Sequence, residues 1–312
     1  MSILGEYLRQ GWNMIQFQQE LQKLLEEYSD KLRTTILVYA GTTDKPIPES
    51  SLLREDYYVI HDFIKDKKGK RLDFYLETPG GRGDVAEDIV RCVHDKFESV
   101  YFLIAGEAKS AGTIMALSGD EIFMSETGSL GPIDAQSRIG RSQISTSDYI
   151  EWVEKKHKEA SEKGRLNPFD ATVIAQVSPG ELNGILHQNK FAQDLVVKWL
   201  PKYKFKNWNK TETNSTPVTE EMKQRRAEQI AKELAANSEK WRIHGKSIKI
   251  EDLAQILRIK RIEDDPVMSD LVYRIHTICK ILFDMFNVYK IFATPEEAFM
   301  KQAQLNQPVI PA

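Results

Sequence analysis

Arg71-Leu-Asp-Phe-Tyr-Leu-Glu-Thr-Pro-Gly-Gly-Arg-Gly-Asp84 changes character twice in one short stretch. Arg71 to Leu76 alternates roughly between polar and apolar residues, which predicts a strand. Thr78 to Asp84 is rich in glycine and breaks that pattern with a turn. Val85, Ile89, Val93 and Phe97 then recur at helical spacing, so a helix follows. The same order returns immediately. Ser99 to Ala105 reads as a strand, Gly106 to Lys109 as a turn, and Ser110 opens a helix over Ala111–Ser118. Gly119-Asp120 ends that helix, and Glu121-Ile-Phe-Met124 is a short strand. Upstream, a buried-strand run from Thr34 to Ala40 leads through Gly41-Thr-Thr-Asp-Lys-Pro46 to a helix over about Leu52–Lys65. Repeated strand–turn–helix units predict an α/β domain with mostly parallel pairing.

Outward from this centre the pattern is mainly helical. Tyr7 to Arg33 reads as one amphipathic helix, with Ile15, Leu21, Leu24 and Leu25 among Gln, Glu and Lys. Ser147 is the expected cap of a helix through about Lys163, and another covers about Gly184–Leu200. Pro201 to Thr219 has no period and reads as a solvated linker. Its cluster of Lys202, Lys204, Phe205, Lys206 and Trp208 lacks the wider basic face that a nucleic-acid patch needs. Glu220 to Lys240 reads as a charged helix. Ile250-Glu-Asp-Leu-Ala-Gln-Ile-Leu257 resembles the start of a helix-turn-helix, but its flanks are not strongly basic. The tail from Ala293, with Pro295, Pro308 and Pro311, is expected to fray. The expected divisions are residues 1–33 (N-terminal helix), 34–200 (core), 201–240 (charged linker and helix) and 241–312 (a C-terminal helical segment completing or capping the core).

Composition excludes several classes. A formal net charge of -3 gives no basic field for nucleic acid. No apolar run approaches the roughly 18–20 residues that cross a bilayer, and the first residues lack the pattern of a signal peptide. A cytoplasmic protein without membrane insertion is expected. Cys92 and Cys279 lie far apart within apolar helical patterns, as buried free thiols do.

Two features about thirty residues apart fit one site. Pro79-Gly80-Gly81 follows a strand and precedes a helix, where glycines let backbone N–H groups turn towards a ligand and stabilise an oxyanion. Ser110 stands at a strand-to-helix turn among small residues, with the Ala111 N–H as a second donor. Taken singly, a Gly-Gly pair is most often a turn and a serine opening a helix most often a cap. Their order and spacing favour a nucleophile with its oxyanion hole.

Three segments carry a resemblance to a known family: Leu76-Glu-Thr-Pro-Gly-Gly81, Ala108-Lys-Ser-Ala-Gly-Thr113 and Gly128-Ser-Leu-Gly-Pro-Ile-Asp-Ala-Gln136. They resemble the serine dehydrogenase proteinase family, grouped with signal peptide peptidase A and the Clp protease subunit in the Clp/crotonase superfamily. The likeness covers about Thr34–Leu200 and continues loosely through Trp241–Ala254. It implies an α/β fold, a Clp/crotonase-like superhelix of ββα units with an N-terminal helix and a mainly helical C-terminal segment. It implies Ser110 as the nucleophile of a serine-type endopeptidase, Gly81 (or Gly80) and Ala111 as oxyanion donors, and a homo-oligomer enclosing its sites.

The general base is the open point. A Clp-type protease has a histidine about 25 residues after its serine, where this chain reads Pro132-Ile-Asp-Ala135. The signal peptide peptidase branch uses a lysine, and Val153-Glu-Lys-Lys-His-Lys158 offers candidates. Lys156 follows the apolar stripe of Tyr149, Trp152, Val153 and Ala160, so it is preferred over Lys155, with Lys158 last. Such a lysine works only when burial lowers its pKa well below about 10.4. His157 is a further candidate. Asp134 is a candidate to orient the base or bind substrate, or a turn carboxylate capping its own loop. Lys109 is expected to face away from Ser110.

The expected reaction needs no metal and no organic cofactor, and no Gly-x-Gly-x-x-Gly fingerprint points to dinucleotide chemistry. The expected substrate is a soluble peptide or protein; the sequence names no unfoldase partner. Two other readings use the same fold: a crotonase-like acyl-CoA enzyme, in which the hole polarises a thioester, and a non-catalytic scaffold.

Overall fold

The structure is a computed structural model that describes residues 2–139, 142–211, 214–235, 241 and 245–303. In chain order its helices and strands are α1 (Ile3–Leu8), α2 (Met14–Leu32), β1 (Thr35–Gly41), α3 (Arg54–Ile64), β2 (Gly69–Glu77), α4 (Gly83–Lys96), β3 (Phe97–Ile104), β4 (Glu107–Ala108), α5 (Ala111–Ala116), β5 (Glu121–Met124) and β6 (Ser129–Leu130). They continue with β7 (Gln136–Ile139), β8 (Ser142–Ser145), α6 (Thr146–Lys163), α7 (Pro168–Ile174), α8 (Pro179–Lys202), α9 (Glu220–Ala235), α10 (Ile250–Leu253), β9 (Lys260–Arg261), α11 (Pro266–Met285), β10 (Val288–Ala293) and β11 (Ala298–Gln302).

The main sheet has the order β11-β10-β1-β2-β3-β5-β9. From β1 to β9 the pairing is parallel, and β10 and β11 close one edge antiparallel. Both faces are covered, which explains why β1 is apolar throughout rather than alternating. Leu37 and Tyr39 enter a core shared with α3, α4, α5, α8 and α9, while Ile36, Val38 and Ala40 enter a second one with α2 and α11. The fold is the mixed α/β class read from the sequence.

A second, smaller layer lies at the carboxyl ends of β2, β3 and β5. Leu52 bridges Gly81, Thr78 bridges Ala108, β4 pairs with β6, and Leu130 bridges Ile248. Each unit is thus a long strand followed by a short one, and after the first two a helix. Ligands of such sheets bind beyond the carboxyl strand ends, and the short layer carries all three sequence motifs.

Several boundaries differ from expectation for physical reasons. The N-terminal helix is two helices: Gly11 turns at φ +62, and Asn13 starts α2 with a capping box to Gln16. Phe17, Leu21, Leu24, Leu25 and Tyr28 then pack into the second core, so α2 lies on its own domain. The cap of α6 is Ser145, whose Oγ accepts from the Asp148 N–H at 3.3 Å, rather than Ser147. Among its described residues the C-terminal segment holds α10 and α11, but it also carries β10 and β11, which extend the central sheet, and the tail expected to fray includes β11. Pro308 and Pro311 lie outside the described residues, as do the end of the helix expected over Glu220–Lys240 and part of the Trp241–Ala254 segment. Among the described residues no helix-turn-helix forms, because α10 is four residues long and α11 is buried against α2. In the linker, Lys204 pairs with Glu121 at 2.6 Å and Phe205 is buried. Cys92 and Cys279 are free and buried. No described helix is long and apolar enough to cross a membrane.

Candidate active site

Ser110 occupies a backbone conformation that side chains rarely adopt, φ +48 and ψ -111. The turn is closed by the Gly112 N–H donating to the Lys109 carbonyl at 2.8 Å. Its next residues are small by necessity: a Cβ on Gly112 would lie 2.5 Å from Thr78 Cγ2. A non-glycine residue in such a region stores about 1–3 kcal/mol, a strain that clusters at functional sites. The same strained serine turn between strand and helix exposes nucleophiles in other hydrolase folds.

A capping role for Ser110 is not what its side chain performs. It makes no cap bond to α5, and its hydroxyl forms no hydrogen bond with any described residue. It opens instead onto a cavity of about 760 Å³. Leu52, Leu53, Pro79, Ile114 and Ile133 line it, with Phe191 and Ala192 of α8. Arg82 and Asp84 stand in the lining as well. Asp84 is bonded by Arg82 and Arg54, and chiefly the Arg82 bond pulls its carboxyl down to about 2.

The two glycines have different surroundings. The Gly80 N–H donates to Thr78 Oγ1 at 3.2 Å, and its carbonyl accepts from Leu52 N at 2.7 Å. Gly81 lies between the two bonds that tie Leu52 to Gly80 and Arg82, and its own N–H has no acceptor among the described residues. The Ala111 N–H, at the start of α5, likewise has none. Both residues line the cavity beside Ser110. Both glycines need their freedom: φ is +109 at Gly80 and +141 at Gly81, and a Cβ on Gly81 would lie 2.5 Å from the Leu52 backbone.

The expected bases are not brought to Ser110. The buried face of α6 is the expected one, with Tyr149 buried and Trp152, Val153, Lys156 and Ala160 half-buried. That face packs on α8 through Ile185 and Leu182, not on the cavity. The Lys156 ammonium sits 3.2 Å from both Asp170 of α7 and Glu159. Those carboxylates, Asp170 first, raise its pKa, the opposite of what a neutral base requires. Lys155, His157 and Lys158 are exposed. Asp134 is fully buried and accepts from Gln136 Nε2 at 3.1 Å, while its neighbours Ile133 and Ala135 face the cavity.

Lys109 turns away from Ser110 into a buried polar cluster. Its ammonium donates to Ser247 Oγ (2.8 Å) and Ser129 Oγ (3.1 Å) and lies 3.3 Å from Glu107. Burial lowers its pKa, with Glu107 opposing. The contributions of Leu52, Leu53, Phe191 and Ala192 had no signal in the sequence. They arrive by tertiary packing from far along the chain.

With this geometry in view, residues 55–193 match the family of ClpP-like SDH-type serine proteinases, which bears out the resemblance carried by the three motifs. An uncharacterized protein of Methanocaldococcus jannaschii is 25% identical over 210 residues, 64% of this chain and 69% of that one. A second from the same organism is 32% identical over 65 residues, 21% of this chain and 22% of that one. Among solved structures, a mutant of 1510-N, a membrane-bound stomatin-specific protease, aligns at 24% identity with a TM-score of 0.28. That alignment covers 37% of this chain and 60%, under two thirds, of that one.

Proposed function

Since residues 55–193 match the ClpP-like SDH-type serine proteinases, we propose that this chain hydrolyses peptide bonds through an acyl-enzyme on Ser110. One observation carries the reading. The Ser110 hydroxyl, on a strained turn, lines the cavity beside the N–H groups of Gly81 and Ala111, and none of the three has a hydrogen-bond partner among the described residues. In the proposed reaction Ser110 Oγ attacks the carbonyl carbon, and the oxygen gains its negative charge between the two N–H groups. Removing one such donor typically costs about 10²–10³ in rate, so the pair accounts for a large part of the acceleration. The Ser110 proton passes to the base, Lys156 in the proposed dyad, which hands it to the amine as collapse of the adduct breaks the C–N bond. Water then adds to the acyl carbon, gives a proton through the same base to Ser110 Oγ, and releases the acid. Gly81 is preferred to Gly80 as donor because the Gly80 N–H is already engaged by Thr78.

The Ser110 proton needs an acceptor that no described side chain supplies in this arrangement. Lys156 becomes one only when α6 and α7 move and both its ion pairs break. The Ser–Lys dyad therefore stands as a proposal tied to that movement. A thioester reading would use the same N–H pair but gives no reason for a serine at φ +48. The substrate is proposed to be a peptide or protein segment presenting an apolar side chain to Ile114, Ile133 and Phe191, and the working form a homo-oligomer.

The test is a fluorophosphonate probe followed by mapping of the adduct. Labelling at Ser110 that disappears in Ser110→Ala is the expected result. Folded protein that stays unlabelled would remove the hydrolase reading and leave a binding or scaffold role.

A further inference from the structure

We propose that the buried ion pair of Asp56 and Lys290 is a positioning device for the Gly81 N–H, a role that rests on the oxyanion-hole reading above. Both side chains are fully buried. The Lys290 ammonium, projecting from β10, lies 2.9 and 2.8 Å from the two Asp56 oxygens and donates to the Ser51 carbonyl at 2.9 Å. Asp56 Oδ2 also accepts from the Leu53 N–H at 2.7 Å and from the Tyr39 hydroxyl at 3.1 Å. Ser51 and Leu53 are thus held from opposite ends by one pair of charges. Leu52 lies between them, and its N–H and carbonyl grip Gly80 and Arg82 at 2.7 and 3.1 Å.

Gly81 has no slack against that grip, since its missing Cβ would meet Leu52 N and O at 2.5 Å. A shift of Ser51–Leu53 therefore carries Gly81 with it. Stability alone does not call for such a pair, because well-packed apolar side chains of similar volume often serve a core as well or better. Fixed geometry is what charges add here: an ammonium directs three donors to three set acceptors. The clamp also joins the site to β10, which lies outside the residues that match the proteinase family.

Lys301 and Glu55 are the other charges around the pair. Lys301 of β11 stands 3.8 Å from Asp56 but is bonded to Glu55. Burial lowers the Lys290 pKa, with Asp56 the main opposing influence.

The test compares wild type with Lys290→Met and with the double variant Lys290→Met/Asp56→Leu, which leaves no unpaired charge should the single variant fail to fold. Amide hydrogen exchange at Leu52 and Arg82 is expected to rise about tenfold or more, while amides of β3 hold their rates, as local opening does. In fluorophosphonate labelling, the limiting rate is expected to fall about tenfold or more with the half-saturating probe concentration unchanged, because an oxyanion donor acts on the transition state. Unchanged exchange at Leu52 and Arg82 in a folded variant overturns the proposal. So does a labelling loss that merely tracks the folded fraction. Absence of labelling in wild type sinks the hydrolase reading instead, and the exchange rates still decide whether the pair holds the loop.

Discussion

A Cβ on Gly80 would stand 2.9 Å from Cβ of Ser110 and 3.1 Å from the Lys109 carbonyl oxygen. The Pro-Gly-Gly turn and the serine turn are therefore packed with no room for a methyl between them, although about thirty residues separate them. Neither can shift alone.

Gly80→Ala tests that contact. The new methyl meets Ser110, and φ +109 is strained for any side chain. The expected cost is about 1–3 kcal/mol of stability. With Ser110 as the proposed nucleophile, its displacement is expected to cost about 10²-fold in labelling rate, since errors near 1 Å have that effect. Urea unfolding and labelling kinetics on the same sample separate the two losses; near-wild-type labelling would mean the serine tolerates displacement.

Ser110→Gly and Ser110→Ala should part company in stability while both abolish labelling. Glycine relieves the conformation at φ +48, ψ -111, and the relief outweighs glycine's greater unfolded-state entropy, a net gain of about 1 kcal/mol. Alanine keeps the strain and should leave stability nearly unchanged. Thermal unfolding of the three proteins reads the difference directly. A glycine variant no more stable than the alanine one would show that the turn stores no strain.

Much of this was legible in the residues, and the gaps have identifiable causes. Thr78-Pro-Gly-Gly81 and Ser110 announced themselves because turns depend on local chemistry. The boundaries of β5, Glu121–Met124, are legible for the same reason. Gly11 and Asn13, which split the N-terminal helix, were present in the sequence but outweighed by the apolar period around them. By contrast, nothing local in Val288–Ala293 says that it returns to pair with β1, and its Lys290 looks like a break in an apolar run. The partners of Lys156 escaped detection likewise: Asp170 reaches it only because α7 folds back on α6.

Lys156→Ala is expected to lower labelling by about 10²–10⁴-fold, the loss that removing a general base causes, because the proposed dyad brings this lysine to Ser110 once α6 and α7 move. Labelling that stays within about tenfold would remove Lys156 as the base. Its ammonium is bound to Asp170 and Glu159, and both keep it charged. Asp170→Asn sharpens the comparison by freeing the lysine. A gain in labelling with Asp170→Asn, together with abolition by Lys156→Ala, would show that α6 and α7 deliver the base by moving. His157→Ala serves as the exposed control.

Asp84 gives the acid limb of stability a defined sign. Its pKa falls from 3.8 to about 2, first through the Arg82 bond and then through Arg54, with burial opposing. A carboxyl held low in the folded protein stabilises it fully above the unfolded value and loses that contribution as pH falls through the folded one. The side chain is 44% exposed, so solvent screening reduces the contribution to less than about 1 kcal/mol. Urea unfolding of wild type and Asp84→Asn should therefore differ above the ordinary aspartate range and converge as the pH approaches the folded pKa. Added salt should shrink the difference throughout. Curves that stay parallel down to the lowest pH would mean that the arginines do not hold this carboxylate in solution.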